Sequence, residues 1–128
     1  MSRPAIDELL GQVRAGLPPR PGPDGLDAVW ADGGLVVDTR PASLRARDGE
    51  LPGALVVERN VLEWRLDPSS PHRLDEVRDH DQQIVVVCDE GYASSLAAAS
   101  LQSLGLKRAT DLDGGYQAWL RFSAGRPA

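Results

Sequence analysis

The sequence predicts an α/β domain built on a parallel sheet, and three observations point there. Three short apolar runs, Leu35-Val36-Val37, Ala54-Leu55-Val56-Val57 and Ile84-Val85-Val86-Val87, and a fourth segment, Ala109 to Leu112, have the length of strands. Helical segments fall between them in regular alternation, the order that builds strand-helix-strand units. Polar or Gly-containing segments then follow the runs: Asp38-Thr39-Arg40, Glu58-Arg59, Cys88 with its loop, and Asp113-Gly114-Gly115. Right-handed crossovers place the carboxyl ends of parallel strands on one rim, where open α/β sheets bind ligands. These four segments are therefore expected to converge.

Each element has its own local cause. Ile6, Leu9, Leu10, Val13 and Leu17 recur at helical spacing over residues 5 to 16, and Gly16 with the following prolines ends that helix. Leu17 to Pro23 reads as a stiff, extended linker, dividing residues 1 to 23 from a domain of residues 24 to 128. Asp24 is expected to cap a short helix through Trp30. Helices are predicted over Pro41 to Arg47 and Asn60 to Leu66, followed by a loop and short helix to Arg78. The strand at 84 to 87 leads, through Ser94-Ser95 as a cap, into a helix over 95 to 104 closed by Gly105. A final helix is predicted from Tyr116 to Phe122.

Composition narrows the function classes. A chain of 128 residues fits one domain and buries roughly two-thirds of its unfolded surface. One cysteine excludes an internal disulfide, and with two scattered histidines it leaves no zinc-type cluster, so no metal or other cofactor is expected. The segment Met1 to Asp7 has no apolar signal core, and no stretch approaches the roughly 20 apolar residues that span a bilayer. A soluble, cytoplasmic protein without membrane contact is expected. Net charge of −5 argues against nucleic acid as a partner, because phosphate backbones demand a basic face.

Cys88 stands where the β-branched run 84 to 87 gives way to a polar loop and a helix start. Peptide N–H groups of a first helical turn lack partners and favour an anion enclosed by the loop, and a thiolate is one such anion. A free cysteine is also a small hydrophobe that packs readily, so its position alone does not make it reactive.

The motifs around it do more. Val36-Val37-Asp38-Thr39-Arg40 resembles an apolar strand ending in Asp-x-Arg, and Gly49-Glu50-Leu51-Pro52-Gly53-Ala54 resembles a Gly-x-Ile-Pro-Gly-Ala turn. Leu112-Asp113-Gly114-Gly115-Tyr116-Gln117-Ala118-Trp119, with Ala124-Gly125-Arg126-Pro127, resembles a closing signature. With the cysteine loop these follow, in order, the pattern of the rhodanese family of sulfurtransferases in its single-domain form. The resemblance implies a rhodanese-like domain with helices on both faces of the sheet. It also implies transfer of a sulfane sulfur from a donor, thiosulfate or a persulfide, to a thiophilic acceptor such as a thiol or cyanide, through a Cys88 persulfide.

Residue by residue, the family's Cys-Arg-x-Gly-x-Arg followed by Ser aligns with Cys88-Asp89-Glu90-Gly91-Tyr92-Ala93 followed by Ser94. Cysteine, glycine, serine and loop length match, whereas Asp89 and Ala93 replace the two arginines. A doubly charged donor would therefore meet Asp89 and Glu90 where cations are expected. The resemblance marks Asp89, Glu90, Gly91, Tyr92, Ala93 and Ser94 as the substrate-binding loop around Cys88. The alternative is a weakly active or inactive module that binds a protein partner or relays sulfur from another protein's persulfide.

Arg40 and Arg59 follow strand ends and either guide an anionic donor or pair with Asp38 and Glu58. Tyr92 stands at the expected mouth, while Asp89 and Glu90, adjacent in a tight loop, point apart rather than forming an acid/base couple. Trp30, Trp64 and Trp119 are expected core anchors, and His72 and His80 surface residues. Gly114-Gly115 reads as a tight strand-to-helix turn. A Cys-x5-Arg phosphatase needs an arginine to clamp phosphate at the position of Ser94, so that chemistry is disfavoured.

Overall fold

The computed structural model describes residues 3–126; Met1, Ser2 and Pro127 of the closing motif lie outside the described residues. Four strands, β1 (Leu35–Asp38), β2 (Leu55–Val56), β3 (Ile84–Val87) and β4 (Ala109–Asp111), form one sheet in the order β2-β1-β3-β4. All three pairings are parallel, with Val36 beside Val85 and Val86 beside Asp111. The predicted fold class is the one observed.

Successive strand residues face opposite sides, and both sides are filled. Val37, Ile84 and Val86 pack with Leu62, Leu66, Ala97, Ala98 and Leu101, from α4 (Leu62–Leu66) and α5 (Ala93–Gln102). Val36, Val85 and Val87 pack on the other face with Leu26 and Val29 of α2 (Leu26–Ala31) and Tyr116 of α6 (Gly115–Ala124). This two-sided burial explains why β3 is an unbroken β-branched run, and each of its residues contributes about 1.5–3 kcal/mol of apolar transfer. Removing Leu101 to Ala would cost about 2–5 kcal/mol through the cavity left under β3.

The remaining helices, α1 (Ala5–Ala15) and α3 (Ala42–Asp48), also match their predicted segments. Several local expectations are corrected. No helix forms between Asp67 and Gln83. Instead Asp67, Ser70 and Asp79 each accept a backbone N–H two residues ahead, turns that compete with helix, and Pro68 and Pro71 interrupt the segment. Asp24 makes no capping bond; a 3-10 turn, Pro23–Gly25, precedes α2. α5 starts at Ala93, so Ser94 and Ser95 lie inside its first turn rather than capping it. Trp64 is 58% exposed and anchors nothing, while Trp30 and Trp119 do pack on the core. The apolar stripe of α1 is only partly covered, because this helix packs mainly on α5: Leu10 is buried, but Ile6 and Leu9 are exposed.

The segment after α1 is bound to the sheet's edge. Thr110 donates its hydroxyl to the Pro18 carbonyl at 3.0 Å, and Asp113 donates its N–H to the Pro21 carbonyl at 2.9 Å. Among the described residues no helix is long and apolar enough to cross a membrane.

Candidate active site

The carboxyl end of β3 delivers Cys88 into a loop that turns directly into α5. Two peptide groups of that loop point at the sulfur: Gly91 N–H donates to Sγ at 3.2 Å and Ser94 N–H at 3.3 Å. The thiol is part-exposed and lies 3.1 Å from Ser94 Oγ.

Glycine is required here by close approach. Gly91 has φ +88, and a Cβ on it would stand 2.8 Å from the Gly114 nitrogen. Gly115, φ +62, approaches from the facing turn, where a Cβ would stand 2.6–2.7 Å from Gly91 N, Asp89 O and Cys88 O. That intimacy lets the start of α6 donate Tyr116 N–H to the Cys88 carbonyl at 2.9 Å and Gln117 N–H to the Asp89 carbonyl at 3.0 Å. Helix-end donors that would otherwise lack partners hold these carbonyls, and the loop's N–H groups are left to face the sulfur. The result is a small nest for an anion.

Asp111, at the end of β4 and fully buried, organises the floor. It accepts the Ser94 hydroxyl at 2.7 Å and the Ser95 hydroxyl at 2.8 Å. Arg20 grips it twice, Nε to Oδ1 at 2.7 Å and Nη2 to Oδ2 at 3.2 Å. Burial opposes the charge of Arg20, yet the hydrogen bond and attraction of Asp111 outweigh it and hold the guanidinium pKa above its ordinary value. A hydroxyl has one proton, and while Ser94 gives it to Asp111 its Oγ can only accept from the Cys88 thiol.

Outside the loop an open cavity of about 590 Å³ is lined by Asp89, Glu90, Tyr92, Arg47, Asp48, Gln117 and Arg121 among others. Gln117 Nε2 bridges Asp48 and Asp89, 3.0 Å from each. The hydrogen bond from Arg47 holds the Asp48 carboxyl below its usual range, and Asp48 in turn raises the Arg47 pKa. The cavity is thus acidic on the loop side and carries Arg47, Arg121 and Asp48 on the other wall.

Of the residues singled out by sequence, Asp89, Glu90 and Tyr92 border this cavity, Tyr92 being 57% exposed. Gly91 and Ser94 touch the sulfur, while Ala93 is exposed at the start of α5. Arg40 takes the pairing alternative and does not border this cavity: it is buried in an ion pair with Asp38 at 2.8 Å. Arg59 pairs with Glu63 at 2.9 Å rather than with Glu58, and borders a different cavity. Sequence reasoning missed Asp111, Arg20, Arg14, Arg47, Gln117 and Arg121. Only Asp111 carried a usable signal, a carboxylate inside an expected buried strand.

Comparison with known proteins fits this geometry. Residues 23–122 match the family model described as "Rhodanese-like domain". The chain is 34% identical over 98 residues to thiosulfate sulfurtransferase GlpE of Pseudomonas fluorescens, covering 76% of this chain and 80% of that protein. Among solved structures, the human single-domain sulfurtransferase TSTD1 superposes with a TM-score of 0.66 at 25% identity, covering 81% of this chain and 96% of its own. A Rhodopseudomonas palustris protein of unknown function, described as a possible tyrosine phosphatase, superposes with a TM-score of 0.80 at 28% identity. That match covers 100% of this chain and 97% of the other.

Proposed function

The chain belongs to the rhodanese-like domain family, and from that premise we propose that it is a sulfurtransferase carrying sulfane sulfur as a persulfide on Cys88. The observation that carries the reading is the sulfur itself, part-exposed at a strand end with the Gly91 and Ser94 N–H groups directed at it. Those donors stabilise negative charge on Sγ.

In the first step the Cys88 thiolate attacks the outer sulfur of the donor. A new S–S bond forms on Sγ, the donor's own bond to that sulfur breaks, and its electron pair leaves with sulfite or with a carrier thiolate. In the second step a thiolate or cyanide attacks the terminal sulfur, the Sγ–S bond breaks, and Cys88 returns as thiolate. Charge at the mouth favours a persulfide on a thiol carrier over thiosulfate. A carboxylate roughly 7 Å from a dianion in near-aqueous surroundings costs it about 1 kcal/mol, and Asp89 and Glu90 directly follow Cys88 in its loop and line the neighbouring cavity.

A Cys-x5-Arg phosphatase mechanism is disfavoured because Ser94 occupies the position of the phosphate-clamping arginine. The test of the proposal is intact-protein mass spectrometry after exposure to thiosulfate, a low-molecular-weight persulfide and a thiosulfonate. A gain of one sulfur atom on the protein and none on Cys88→Ser is expected. Folded protein that gains no sulfur from any of the three overturns it.

A further inference from the structure

We propose that Arg20, assisted by Arg14, is a positioning residue for the Cys88 thiolate, so that the segment before residue 23 completes the site. Both arginines precede the residues 23–122 that match the family model. The inference rests on Cys88 being the reacting group, but its test requires no sulfur transfer.

Two side chains arriving from outside the sheet converge on one carbonyl. Arg14 donates to Gly91 O at 2.7 Å and Arg20 donates to the same oxygen at 3.0 Å. The preceding peptide supplies the Gly91 N–H that reaches Sγ at 3.2 Å. Two charged donors on this carbonyl keep it turned toward them, and a carbonyl dipole that swung toward a thiolate would repel it. Arg14 also donates Nε to Ser95 Oγ at 3.0 Å, and its guanidinium lies over the Tyr92 ring. The loop is therefore gripped from behind at Gly91, Tyr92 and Ser95.

Arg20 also sets the charge beneath the sulfur. Asp111 alone would place an unneutralised buried carboxylate one hydroxyl away from Cys88, since Ser94 Oγ lies 2.7 Å from Asp111 and 3.1 Å from Sγ. The two-point grip of Arg20 removes that repulsion. It has a second consequence for the proton on Ser94. With Arg20 and Ser95 already donating to Asp111, the Ser94 hydroxyl is free to turn to a thiolate without stranding the carboxylate.

The remaining charges around Cys88 pull in both directions. Asp89 and Glu90 on the loop disfavour an anion, and Asp113, 3.4 Å from Arg20 Nη1, offsets part of its charge. Arg47, paired with Asp48, and Arg121 face the loop across the cavity. Among the described residues Arg14 has no carboxylate within salt-bridge distance, so its charge is not cancelled locally.

The experiment is the pH dependence of iodoacetamide alkylation of the full chain, in which Cys88 is the sole thiol. Arg20→Gln should raise the pH midpoint by about one unit, slowing alkylation at neutral pH by about tenfold. Arg20→Gln combined with Asp111→Asn should recover most of that shift. An unshifted midpoint in Arg20→Gln overturns the proposal, as does a double variant shifted as far as the single one. If circular dichroism shows Arg20→Gln unfolded, Arg14→Gln takes its place: a rise of about half a unit supports the proposal and no rise overturns it. Sulfur uptake from donors is scored separately, so loss of the persulfide reading leaves this outcome legible.

Discussion

The guanidinium carbon of Arg40 sits 3.5 Å from the centroid of the Tyr116 ring, with both side chains buried. Around that stack, Arg40 donates to the Asp38 carboxylate and to the Gly49 carbonyl at 2.9 Å, while the Tyr116 hydroxyl donates to the Asp48 carbonyl at 2.7 Å. The pair thereby clasps the end of α3 against the sheet, where Asp48 and Arg47 line the cavity. Burial raises the Tyr116 phenol pKa, with nearby Arg40 acting against the rise.

Arg40→Met should therefore destabilise strongly, since it leaves Asp38 buried without its cation. A loss of about 3–5 kcal/mol is expected from urea unfolding. A change within about 1 kcal/mol would contradict the clasp, because that is the range of exposed ion pairs.

Gly115→Ala should disturb the cysteine loop from the opposite side. Its Cβ would meet the backbone of Asp89, Cys88 and Gly91 at 2.6–2.7 Å, and backbone cannot rotate away as a side chain can. The expected result is a loss of about 1–3 kcal/mol in stability together with slower persulfide formation on Cys88. Thermal melts and mass-resolved sulfur uptake measure the two effects, and unchanged uptake would show that the turn does not shape the nest.

Ser94→Ala removes the hydroxyl between the sulfur and Asp111 but keeps the Ser94 position's N–H on Sγ. Sulfur uptake should fall by about tenfold, equivalent to ~1.4 kcal/mol of barrier. Asp111 retains Ser95 and Arg20, so stability should change by only about 1 kcal/mol. A stopped-flow rate equal to that of the unaltered protein would deny the hydroxyl a role.

Glu63 couples α4 to α5 through the Ser100 hydroxyl at 2.5 Å and to Arg59 at 2.9 Å. Burial pushes its pKa up, but these hydrogen bonds outweigh burial and hold the carboxyl below its ordinary 4.5. A carboxyl that is more acidic folded than unfolded stabilises the fold above 4.5, and that contribution is lost as pH falls through the folded value. Glu63→Gln should flatten the acid limb of a Tm-versus-pH curve below about pH 4.5. An acid limb of unchanged steepness would count against it.

Much of the fold was legible because its causes are local. Apolar runs of strand length, alternating with helical segments, specify a parallel sheet, and Cys88 at the end of a β-branched run with Gly91 and Ser94 after it marks the candidate site. The misread segments were those where local signals compete. Prolines and short polar turns replaced the expected helix before Gln82, and Trp64, apolar in type, lies at the surface of α4 where no layer covers it.

What only the tertiary structure decided is which charges meet the thiol. Arg20 and Asp111 are 91 residues apart, Arg14 and Gly91 77 apart, and no periodicity or spacing links them. Arg40 and Arg20 look alike in sequence, each a single cation beside proline, yet one is buried under Tyr116 and the other grips the floor of the cysteine loop. Residue type and local pattern determined where the part-exposed sulfur of Cys88 sits. Long-range packing determined the charge and hydrogen-bond donors around it, because electrostatics depends on distance in space rather than along the chain.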